Sequence, residues 1–360
     1  MGYRVVLLPG DGIGPEVTLA MKRCVDALKV GVKWEELDAG EKAVKTYGSP
    51  MPDHVLDAIK KNRVAIKGPV TTPVGHGFRS VNVYLRQQLD LFACVRPVRG
   101  FLGVETKFDD VDLVIFRENT EDLYVGIEFE EGSQQAQQVI RYLNGLSEIQ
   151  IRDDAALSIK PISITGSRRI ADAAFDYALK NNRKKVTIVH KANIMKYSDG
   201  LFLRVAQDVG REYAGRVECE DLIVDNMCMQ LVQQPENYDV LVLPNLYGDI
   251  VSDLCAGLVG GLGMAPGANI GSAAAVFEPV HGSAPAIAGK DQANPTAMIL
   301  SAVLMLRHLG ERQAAQHLEN AVADVIREGK CVTADLKSSC KDDAWAVGTQ
   351  AMADAIIQRL

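Results

Sequence analysis

The sequence predicts an α/β fold. Apolar runs of strand length recur along the chain, and segments with the period of an amphipathic helix lie between several of them. With 360 residues, of which 47% are hydrophobic, the chain is long enough for one large or two medium domains with a full core. The alternation of strands and helices is typical of an α/β architecture.

Four elements are predicted in the first quarter of the chain. Arg4–Leu8 and Val64–Val70 have the character of buried strands. Pro15 suits the first turn of a helix, because that position needs no backbone N–H donor. Ser80–Leu91 has the spacing of a helix with its apolar residues on one face.

The rest of the chain continues this pattern. Further strands are predicted at Ala93–Val98, Leu113–Arg117, Val186–His190, Val217–Val224 and Val240–Pro244. Helices are predicted at Arg169–Leu179, Ser198–Tyr213 and Asp249–Val259. The tail from Pro295 is predicted to be mostly helical, with a break at Gly329–Asp335.

The segment Glu128–Asp154 differs from its surroundings. It is polar, rich in glutamine and weakly periodic. It is interpreted either as a protruding segment that contacts a partner or as a long surface loop.

The composition excludes several classes of protein. The formal net charge is −7 without a stripe rich in Lys and Arg, so nucleic acid is not an expected partner. Seven scattered cysteines without a CxxC pair indicate reduced thiols. The most apolar run, Ala297–Leu306, is too short to span a bilayer, and the first residues lack the pattern of a signal peptide. We therefore expect a cytoplasmic protein without a membrane segment, or a protein of the mitochondrial matrix if the source is eukaryotic.

A glycine-rich turn follows the first strand. Gly10, Gly12 and Gly14 precede the first helix, which suggests a dinucleotide-binding turn with Asp38 in reach of a ribose. The spacing, however, is GxGxG followed by Pro15, and not GxGxxG. We therefore favour a tight turn that shapes the wall of a pocket.

Two carboxylates have the spacing of metal ligands. Asp249 and Asp253 are four residues apart at the start of a predicted helix, so both face the same side, and Gly248 is expected to form the turn before it. Oxygen donors at the carboxyl end of a strand suit Mg²⁺ or Mn²⁺. Asp225, which follows another apolar run, is a third candidate ligand. The alternatives are that Asp249 complements the helix N-terminus and that Asp225 is an N-cap.

Three arginines indicate a polyanionic substrate. Arg86 lies one helical turn after Asn82 and close to Ser80. Arg96 and Arg117 lie within and at the end of predicted strands. Guanidinium groups bind carboxylates through two hydrogen bonds. Any one of these arginines would more often be a structural or surface residue, but together with the carboxylate pair they favour an acidic small molecule.

Two further side chains are candidates for proton transfer. Lys191 ends the strand Val186–His190, and Tyr124 follows the sequence RENTE at 117–121. Each requires a tuned pKa for that role, and each is otherwise an ordinary residue.

Four segments resemble the isocitrate/3-isopropylmalate dehydrogenase family of β-decarboxylating dehydrogenases. They are LPGDGIGPE at 8–16, RENTE at 117–121, NLYGDIVSD at 245–253 and EPVHGSAP at 278–285, and the resemblance covers almost the whole chain. It implies the isopropylmalate dehydrogenase-like fold, which is not a Rossmann fold. Residues 1–91 and 260–360 would form a large domain, and residues 92–259 a small domain. A segment at about 122–163 would be a dimer clasp.

The resemblance also implies a reaction. Ser80, Asn82 and Arg86 are similar to the isocitrate version of the family, because serine and asparagine can hydrogen-bond the additional carboxylate. The implied activity is the oxidative decarboxylation of isocitrate to 2-oxoglutarate and CO₂ with reduction of NAD, a step of the tricarboxylic acid cycle. The enzyme would be a homodimer or a higher homo-oligomer with shared active sites.

The resemblance assigns a role to each candidate residue. Arg86, Arg96 and Arg117 would hold substrate carboxylates, and Ser80 with Asn82 would recognise the third one. Asp249, Asp253 and Asp225 of the partner subunit would bind Mg²⁺ or Mn²⁺. Lys191 of the partner subunit and Tyr124 would transfer protons. The nucleotide loop would comprise His281, Gly282, Ser283, Ala284, Ala286, Ile287 and Asn294.

The choice of nicotinamide cofactor depends on a few positions. After Pro285, NAD enzymes of the family commonly have Asp, and many NADP enzymes have Lys-Tyr, whereas this chain has Ala286-Ile287. The Tyr and Arg with which bacterial NADP enzymes bind the phosphate are replaced by Ala334 and Ser338. The resemblance therefore favours NAD over NADP.

Two other functions are also compatible with the sequence. A sister dehydrogenase would act on isopropylmalate, homoisocitrate or tartrate. A noncatalytic regulatory isocitrate dehydrogenase subunit would often lack catalytic residues, and the presence of Tyr124, Lys191 and the three aspartates argues against it.

Overall fold

The chain is built on one large mixed sheet. The computed structural model describes residues 2–71, 80–108, 110–337 and 346–360. The strands in these ranges are β1 (Tyr3–Leu8), β2 (Val32–Glu36), β3 (Val64–Lys67), β4 (Ala93–Arg99), β5 (Asp112–Glu118), β6 (Glu128–Phe129), β7 (Leu157–Ser158), β8 (Lys185–His190), β9 (Glu218–Ile223), β10 (Val240–Leu243), β11 (Pro266–Ile270) and β12 (Ala275–Pro279).

Helices cover the sheet and fill most of its connections. They are α1 (Gly14–Ala27), α2 (Glu41–Tyr47), α3 (Asp53–Asn62), α4 (Val81–Gln88), α5 (Gln134–Asn144), α6 (Ile164–Lys180), α7 (Ser198–Glu212), α8 (Val224–Leu231), α9 (Asn245–Leu258), α10 (Thr296–His308), α11 (Arg312–Glu328) and α12 (Thr349–Ile357). No helix in the described ranges is long and apolar enough to cross a membrane.

The order of strands in the large sheet is β2-β1-β3-β12-β11-β4-β5-β10-β8-β9. The strands from β2 to β12 are parallel to one another, and so are those from β5 to β9. The three pairings at the centre, β12 with β11, β11 with β4 and β4 with β5, are antiparallel. β6 and β7 form a separate antiparallel pair.

The buried apolar residues form four clusters, which divide along the chain. Two of them draw their buried members from Val5–Leu91 and Met264–Ile356. The other two draw theirs from Ala93–Val259. Each of these two pairs of clusters covers both faces of its part of the sheet. The sheet itself is continuous, but the apolar packing around it is divided into two parts.

Several elements differ from the sequence-based predictions. The strand predicted at Val64–Val70 ends at Lys67, before Gly68 and Pro69. The strands β2, β11 and β12 were not predicted, because charged or small residues interrupt their apolar runs. All three nevertheless pair along their length with a neighbour in the sheet.

The polar segment Glu128–Asp154 contains regular structure that its weak periodicity did not predict. Ser133 caps α5 by accepting a hydrogen bond from the backbone N–H of Ala136 at 3.1 Å. Several large apolar side chains of this segment are exposed to solvent, among them Tyr142 (69% exposed), Leu146 and Ile149. A polar helix beside exposed apolar side chains favours the partner-contacting interpretation over the surface loop.

Candidate active site

Arg117 is fixed at the end of β5 by contacts with the start of α9. Its side chain is buried, and its Nε donates to Oδ1 of Asn245 at 2.9 Å. Its Nη1 forms an ion pair with Asp249. Gly248 lies against the aliphatic part of Arg117, where an added Cβ would come within 2.5 Å of Cγ. The glycine therefore lets the helix approach the arginine.

This geometry corrects the prediction made for the start of α9. The helix begins at Asn245 and not at Asp249, so Gly248 lies within the helix and forms no turn before it. Asp249 is in the second turn of the helix, whereas the unpaired backbone N–H groups are in the first turn. Asp249 therefore does not serve to complement the helix N-terminus, which was the alternative interpretation of this residue.

Arg96 joins the same group from the middle of β4. Its Nη1 lies 3.3 Å from an Asp253 oxygen and 3.6 Å from an Asp249 oxygen, and it also donates to Ser252. The two carboxylates are one helical turn apart and lie on the same side of α9. They are partly exposed, whereas Arg96 is buried behind them.

Tyr124 completes this cluster. Its hydroxyl donates to Asp249, and the guanidinium carbon of Arg117 lies 4.8 Å from its ring centroid. Burial and the hydrogen bond to Asp249 raise the pKa of Tyr124, so its hydroxyl stays protonated at neutral pH.

The two carboxylates differ in their pKa values. Burial favours the neutral acid at Asp249, but Arg117, the Tyr124 hydroxyl and Arg96 outweigh it and lower its pKa. At Asp253, burial prevails over Arg96 and raises the pKa. Asp249 is therefore ionised, and three donors surround its carboxylate: Arg117, Arg96 and the Tyr124 hydroxyl.

The helix α4 carries the next group of predicted residues. Ser80 is its N-cap residue without a side-chain cap bond, and Asn82 and Arg86 are one turn apart. Arg86 is buried and lies 3.3 Å from Oε1 of Glu278 on β12. Its positive charge also acts on Asp249 and Arg117, which places α4 beside the cluster on α9.

Three buried polar atoms in this region have no hydrogen-bond partner among the described residues. They are Oδ1 of Asn82, Nε of Arg86 and Nη2 of Arg117. Buried polar atoms are nearly always hydrogen-bonded, so a cluster of unpartnered ones indicates groups that bind a ligand. Two are cationic nitrogens, which suit an anion.

A buried charged network next to Arg86 was not predicted. Lys67 on β3 forms an ion pair with Glu278 at 2.6 Å, and Asn269 donates to the same carboxylate at 2.7 Å. Burial opposes the charge on Glu278, but Lys67 and Arg86 lower its pKa to about 2. The signal in the sequence was a charged residue within each of two otherwise apolar strands.

Lys191 and Asp225 have no hydrogen bond or ion pair with Asp249 or Asp253 among the described residues. They follow the neighbouring strands β8 and β9 and form an ion pair with each other. Asp225 is largely exposed, and Lys191 lowers its pKa through a hydrogen bond. No group of three potential metal-binding side chains occurs in the part of the chain that the structure describes. A single subunit therefore does not join Asp225 to Asp249 and Asp253.

A second network of buried charged side chains, which the sequence did not predict, contacts the backbone of Lys191. The buried Asp199 accepts from the backbone N–H of Lys191 at 2.7 Å and from Nζ of Lys160 at 2.6 Å. Lys160 also lies 3.9 Å from the buried Asp122 and 4.6 Å from the ring centroid of Tyr247 on α9. Asp122 in turn accepts from the backbone N–H of Leu246 at 2.9 Å. The network links the turn before Tyr124, the start of α9 and the loop of Lys191.

Part of the predicted nucleotide loop lines a cavity of about 580 Å³. Its lining residues include Ile13, His281, Ile287, Asn294 and Ala334. Nε2 of His281 is another buried atom without a partner in the described ranges. The side chain of Asn294 donates a hydrogen bond to Asp335 and accepts one from the backbone N–H of Thr296.

Four other predicted loop residues do not line this cavity. Gly282, Ala284 and Ala286 are exposed, and Ser283 is buried. Ser283 accepts a hydrogen bond through its carbonyl from the N–H of Ile13 at 2.9 Å. Gly12 has a φ of 59° and packs so closely on Ser283 that a Cβ would collide with it. The glycine turn thus supports the loop and contributes Ile13 to the wall. Ser338 lies outside the described residues.

The arrangement suits acid–base chemistry on a small polyanion. Buried guanidinium groups supply positive charge, a protonated tyrosine lies against the ionised Asp249, and two carboxylates offer oxygen atoms to a hard cation. A separate cavity of suitable size for part of a nucleotide is bounded by the loop at 281–294.

Comparisons with known proteins agree over nearly the whole chain. The family model described as isocitrate/isopropylmalate dehydrogenase matches residues 4–356. The chain is 47% identical over 338 residues to a Drosophila melanogaster protein named probable isocitrate dehydrogenase (NAD) subunit alpha, mitochondrial, with 94% of this chain and 84% of that protein covered. It is 45% identical over 378 residues to isocitrate dehydrogenase (NADP) of Archaeoglobus fulgidus, with 98% and 91% covered.

A solved structure is similar to the same extent. The crystal structure of isocitrate dehydrogenase from Methylococcus capsulatus superimposes with a TM-score of 0.90 at 50% identity, over 99% of both chains. The similarity therefore extends to the fold as well as to the sequence.

Proposed function

Because the chain belongs to the isocitrate/isopropylmalate dehydrogenase family, we propose that it catalyses the oxidative decarboxylation of isocitrate to 2-oxoglutarate and CO₂ with reduction of NAD. The observation that carries this proposal is the set of buried, unpartnered polar atoms of Asn82, Arg86 and Arg117 beside the carboxylate pair. A substrate with three carboxylates would satisfy them. A branched alkyl group at Asn82 would leave its amide buried and unpaired, at a cost of about 1–3 kcal/mol.

Substrate binding is assigned to α4, β4 and β5. Arg86, Arg96 and Arg117 would hold carboxylates, each through two hydrogen bonds. Ser80 and Asn82 would recognise the remaining carboxylate from the start of α4. When substrate binds, the arginines exchange part of their contact with Asp249, Asp253 and Glu278 for the anion, so their charge is never left unbalanced.

The carboxylates of α9 fit a hard divalent cation. Asp249 and Asp253 present oxygen atoms from one helix face and are partly exposed, while Arg117 and Arg96 keep Asp249 ionised. Together with Asp225 of the partner subunit they would hold Mg²⁺ or Mn²⁺. The bound ion would polarise the oxygen on the carbon that is oxidised.

Two residues would move protons. Lys191 of the partner subunit would assist removal of the proton of the substrate's hydroxyl group. Tyr124 would give a proton to the carbon atom that loses CO₂, which requires the protonated hydroxyl that its raised pKa maintains. Asp199 would hold the loop of Lys191 in place through its bond to the backbone N–H.

The cofactor is assigned to the cavity at His281, Ile287 and Asn294. Gly282, Ser283, Ala284 and Ala286 belong to the same loop, and the unpartnered Nε2 of His281 offers a hydrogen bond to the dinucleotide. The nicotinamide would accept the hydride from the hydroxyl-bearing carbon. Ala286, Ile287 and Ala334 carry no charge for a ribose phosphate, which supports NAD. Relatives named for NAD and for NADP are almost equally similar, so the proposal depends on these side chains.

The proposed assembly is a homodimer, or a higher oligomer of dimers, with shared sites. It is supported by the finding that Asp225, which pairs with Lys191, does not form a group of three potential ligands with Asp249 and Asp253 within the described residues, and by the exposed apolar side chains at 142–149. In this proposal residues 1–91 and 260–360 form the large domain, residues 92–259 the small domain, and about 122–163 the clasp.

Two rival functions define the test. A sister dehydrogenase would prefer isopropylmalate, homoisocitrate or tartrate, and a regulatory subunit would turn over none of them alone. The purified chain should be assayed with all four acids side by side, with Mn²⁺ and with NAD or NADP. We expect isocitrate with NAD to have the highest kcat/KM. A higher value with another acid would replace the substrate assignment, and a higher value with NADP would replace the cofactor assignment.

A further inference from the structure

A second large cavity lies on the opposite face of the sheet from the candidate active site. Its volume is about 860 Å³, and helices from both parts of the core, α6 on one side and α10 with α11 on the other, form its walls. This volume is within the range of cavities that bind small organic molecules. None of the residues assigned above to substrate, metal or cofactor lines it.

The pleat of the central strands places this cavity and the active site back to back. Successive side chains of a strand point to opposite faces of the sheet. On β4, Val95 lines the cavity while Arg96 contacts Asp253. On β12, Phe277 lines the cavity while Glu278 contacts Lys67 and Arg86. The two sites thus share the backbone of the same strands.

The floor of the cavity is apolar. Side chains from the strands and from α10 form it, among them Val95, Phe277, Leu300, Val303 and Leu304. An apolar surface of this kind, open to one side, favours an occupant with an alkyl or aryl body.

The rim of the cavity is cationic in a protein of net charge −7. Five cationic side chains line it, Arg99, Lys180, Arg183, Arg307 and Arg312, against the two carboxylates of Asp112 and Glu319. Most of these cations have acidic partners: Arg183 pairs with Asp112 at 2.6 Å, and Arg307 with Glu319 at 2.7 Å. Arg312 forms no side-chain ion pair within the described ranges. Lys180 also pairs with Asp176, and Arg183 with Asp239. The positive charge at the mouth that has no ion-pair partner among the described residues is therefore that of Arg312.

We infer that this cavity binds a small amphipathic anion, with an alkyl or aryl body on the floor and one carboxylate or phosphate group at the rim. An occupant would contact α6, α10 and α11 together, so it would stabilise the folded chain in proportion to its binding. The site is independent of the proposed catalytic function, because binding there involves none of the same side chains.

The test is calorimetric titration of the full-length protein with four compounds. Octanoate and octyl phosphate carry the body and a charged group, octan-1-ol carries only the body, and inorganic phosphate carries only the charge. We expect saturable binding of one octanoate or one octyl phosphate per chain, and the tighter of the two identifies the charged group. Octanol and phosphate should each bind at least about tenfold more weakly.

Three variants assign the binding to this cavity. Leu304→Trp fills the floor and should abolish binding, while Arg312→Gln removes the unpaired cation and should weaken it about three- to tenfold. Arg327→Gln is the matched control, because Arg327 is on the same helix, is exposed and lies outside the cavity. A thermal unfolding curve of each variant, with and without octanoate, shows that it is folded and whether the ligand raises its midpoint.

Three results would overturn the inference. These are the absence of saturable binding, binding of octanol as tight as that of octanoate, and binding that Leu304→Trp and Arg312→Gln leave unchanged. None of them depends on turnover of isocitrate, so a failure here is distinct from a failure of the proposed catalytic function.

Discussion

At the scale of single residues, the electrostatic balance around Asp249 is the central feature of the site. Arg117, Arg96 and the Tyr124 hydroxyl all contact this one carboxylate. They keep it ionised although burial opposes its charge. The same contacts hold the two guanidinium groups and the tyrosine hydroxyl in one place, as the proposed binding of an anionic substrate requires.

Tyr124 and Lys191 are expected to affect the chemical step more than binding. Tyr124→Phe and Lys191→Met should each lower kcat by about 10²- to 10⁴-fold, because each removes one proton transfer. The dissociation constant for Mn²⁺ with isocitrate, measured calorimetrically, should change far less. Tyr47→Phe, at an exposed tyrosine on α2, is the control and should leave kcat unchanged. Unchanged turnover in both test variants would remove the assigned roles.

Lys67 is expected to stabilise the protein by neutralising Glu278. Lys67→Met leaves a buried carboxylate with only Arg86 and Asn269, and the free energy of unfolding at pH 7 should fall by about 3–5 kcal/mol. Lys60→Met, at an exposed lysine on α3, is the matched control. Urea unfolding measures both. A loss no larger than that of the control would show that the buried pair does not stabilise the fold.

The same pair predicts a dependence on pH. The pKa of Glu278 in the folded chain is about 2, below its ordinary value of 4.5. The stability from this shift is therefore fully present above pH 4.5 and is lost as the pH falls towards 2. Without Lys67 the shift is smaller, so the difference in stability between wild type and Lys67→Met should shrink as the pH is lowered from 7 to 3. An equal difference at both pH values would contradict the ion-pair account.

At the scale of elements, the start of α9 decides where the site lies. The helix begins directly after β10, and Gly248 lets its second turn touch Arg117. Asn245, in the first turn, accepts from Arg117 through its side-chain oxygen and donates to the backbone carbonyl of Glu121 at 3.1 Å. The start of this one helix therefore positions both Arg117, which is proposed to bind a substrate carboxylate, and the pair Asp249 and Asp253.

Gly248→Ala tests this close approach. The added Cβ would displace the inner part of the Arg117 side chain, which is buried and has no free space to move into. We expect KM for isocitrate to rise at least about tenfold, with a loss of stability of about 1–3 kcal/mol. Gly257→Ala is on the same helix with no atom within 4 Å of the new Cβ, and it should be neutral or slightly stabilising. Equal effects of the two variants would refute the packing argument.

The sequence predicted most helices and strands but not the contacts between them. The buried strands β1, β5, β8 and β10 were predicted because their apolar runs are continuous. The strands β2 and β12 were missed because charged residues interrupt them, and α5 was missed because four of its first five residues are glutamine. The start of α9 was placed four residues late, because Gly248 has the appearance of a turn residue when its contact with Arg117 is unknown.

The sequence predicted which residues belong to the candidate site but not most of the contacts between them. Asp249 and Asp253 are close in sequence, so their shared helix face was predictable. The contact of Arg86 with Glu278 joins residues 192 positions apart, and such contacts have no local signal. The networks of Lys67 and Lys160 were missed for the same reason. The predicted family fold, in contrast, is confirmed by the similarity to solved structures.

At the scale of the whole molecule, the proposed function makes the oligomer part of the mechanism, because it assigns Lys191 and Asp225 to the site of the partner subunit. Lys191 follows β8 and Asp225 is in the first turn of α8, and the two form an ion pair. Within the described residues, Asp225 does not form a group of three potential metal ligands with Asp249 and Asp253. In the proposed dimer they reach the site of the other subunit. Symmetric dimers give each subunit the same pair of half-sites, so a defect in one half can be complemented by the partner.

Mixing two inactive variants tests these shared sites. In a hybrid of Tyr124→Phe and Lys191→Met subunits, one site carries both defects and the other carries none. Random pairing at equal amounts should therefore restore about a quarter of the wild-type activity. Co-expression with two different affinity tags allows the hybrid to be isolated and assayed. If the hybrid remains as inactive as its parents, each site is formed within one subunit.

The most direct test of the account is the stoichiometry of the reaction catalysed by the purified chain alone. With isocitrate, Mn²⁺ and NAD, we predict that NADH, 2-oxoglutarate and CO₂ are formed in equal amounts. Removal of Mn²⁺ by a chelator should stop the reaction, and Asp253→Asn should lower its rate at least about 10²-fold, because a ligand of the ion is lost. Formation of NADH without CO₂, or no NADH with the folded wild-type chain, would contradict the assignment.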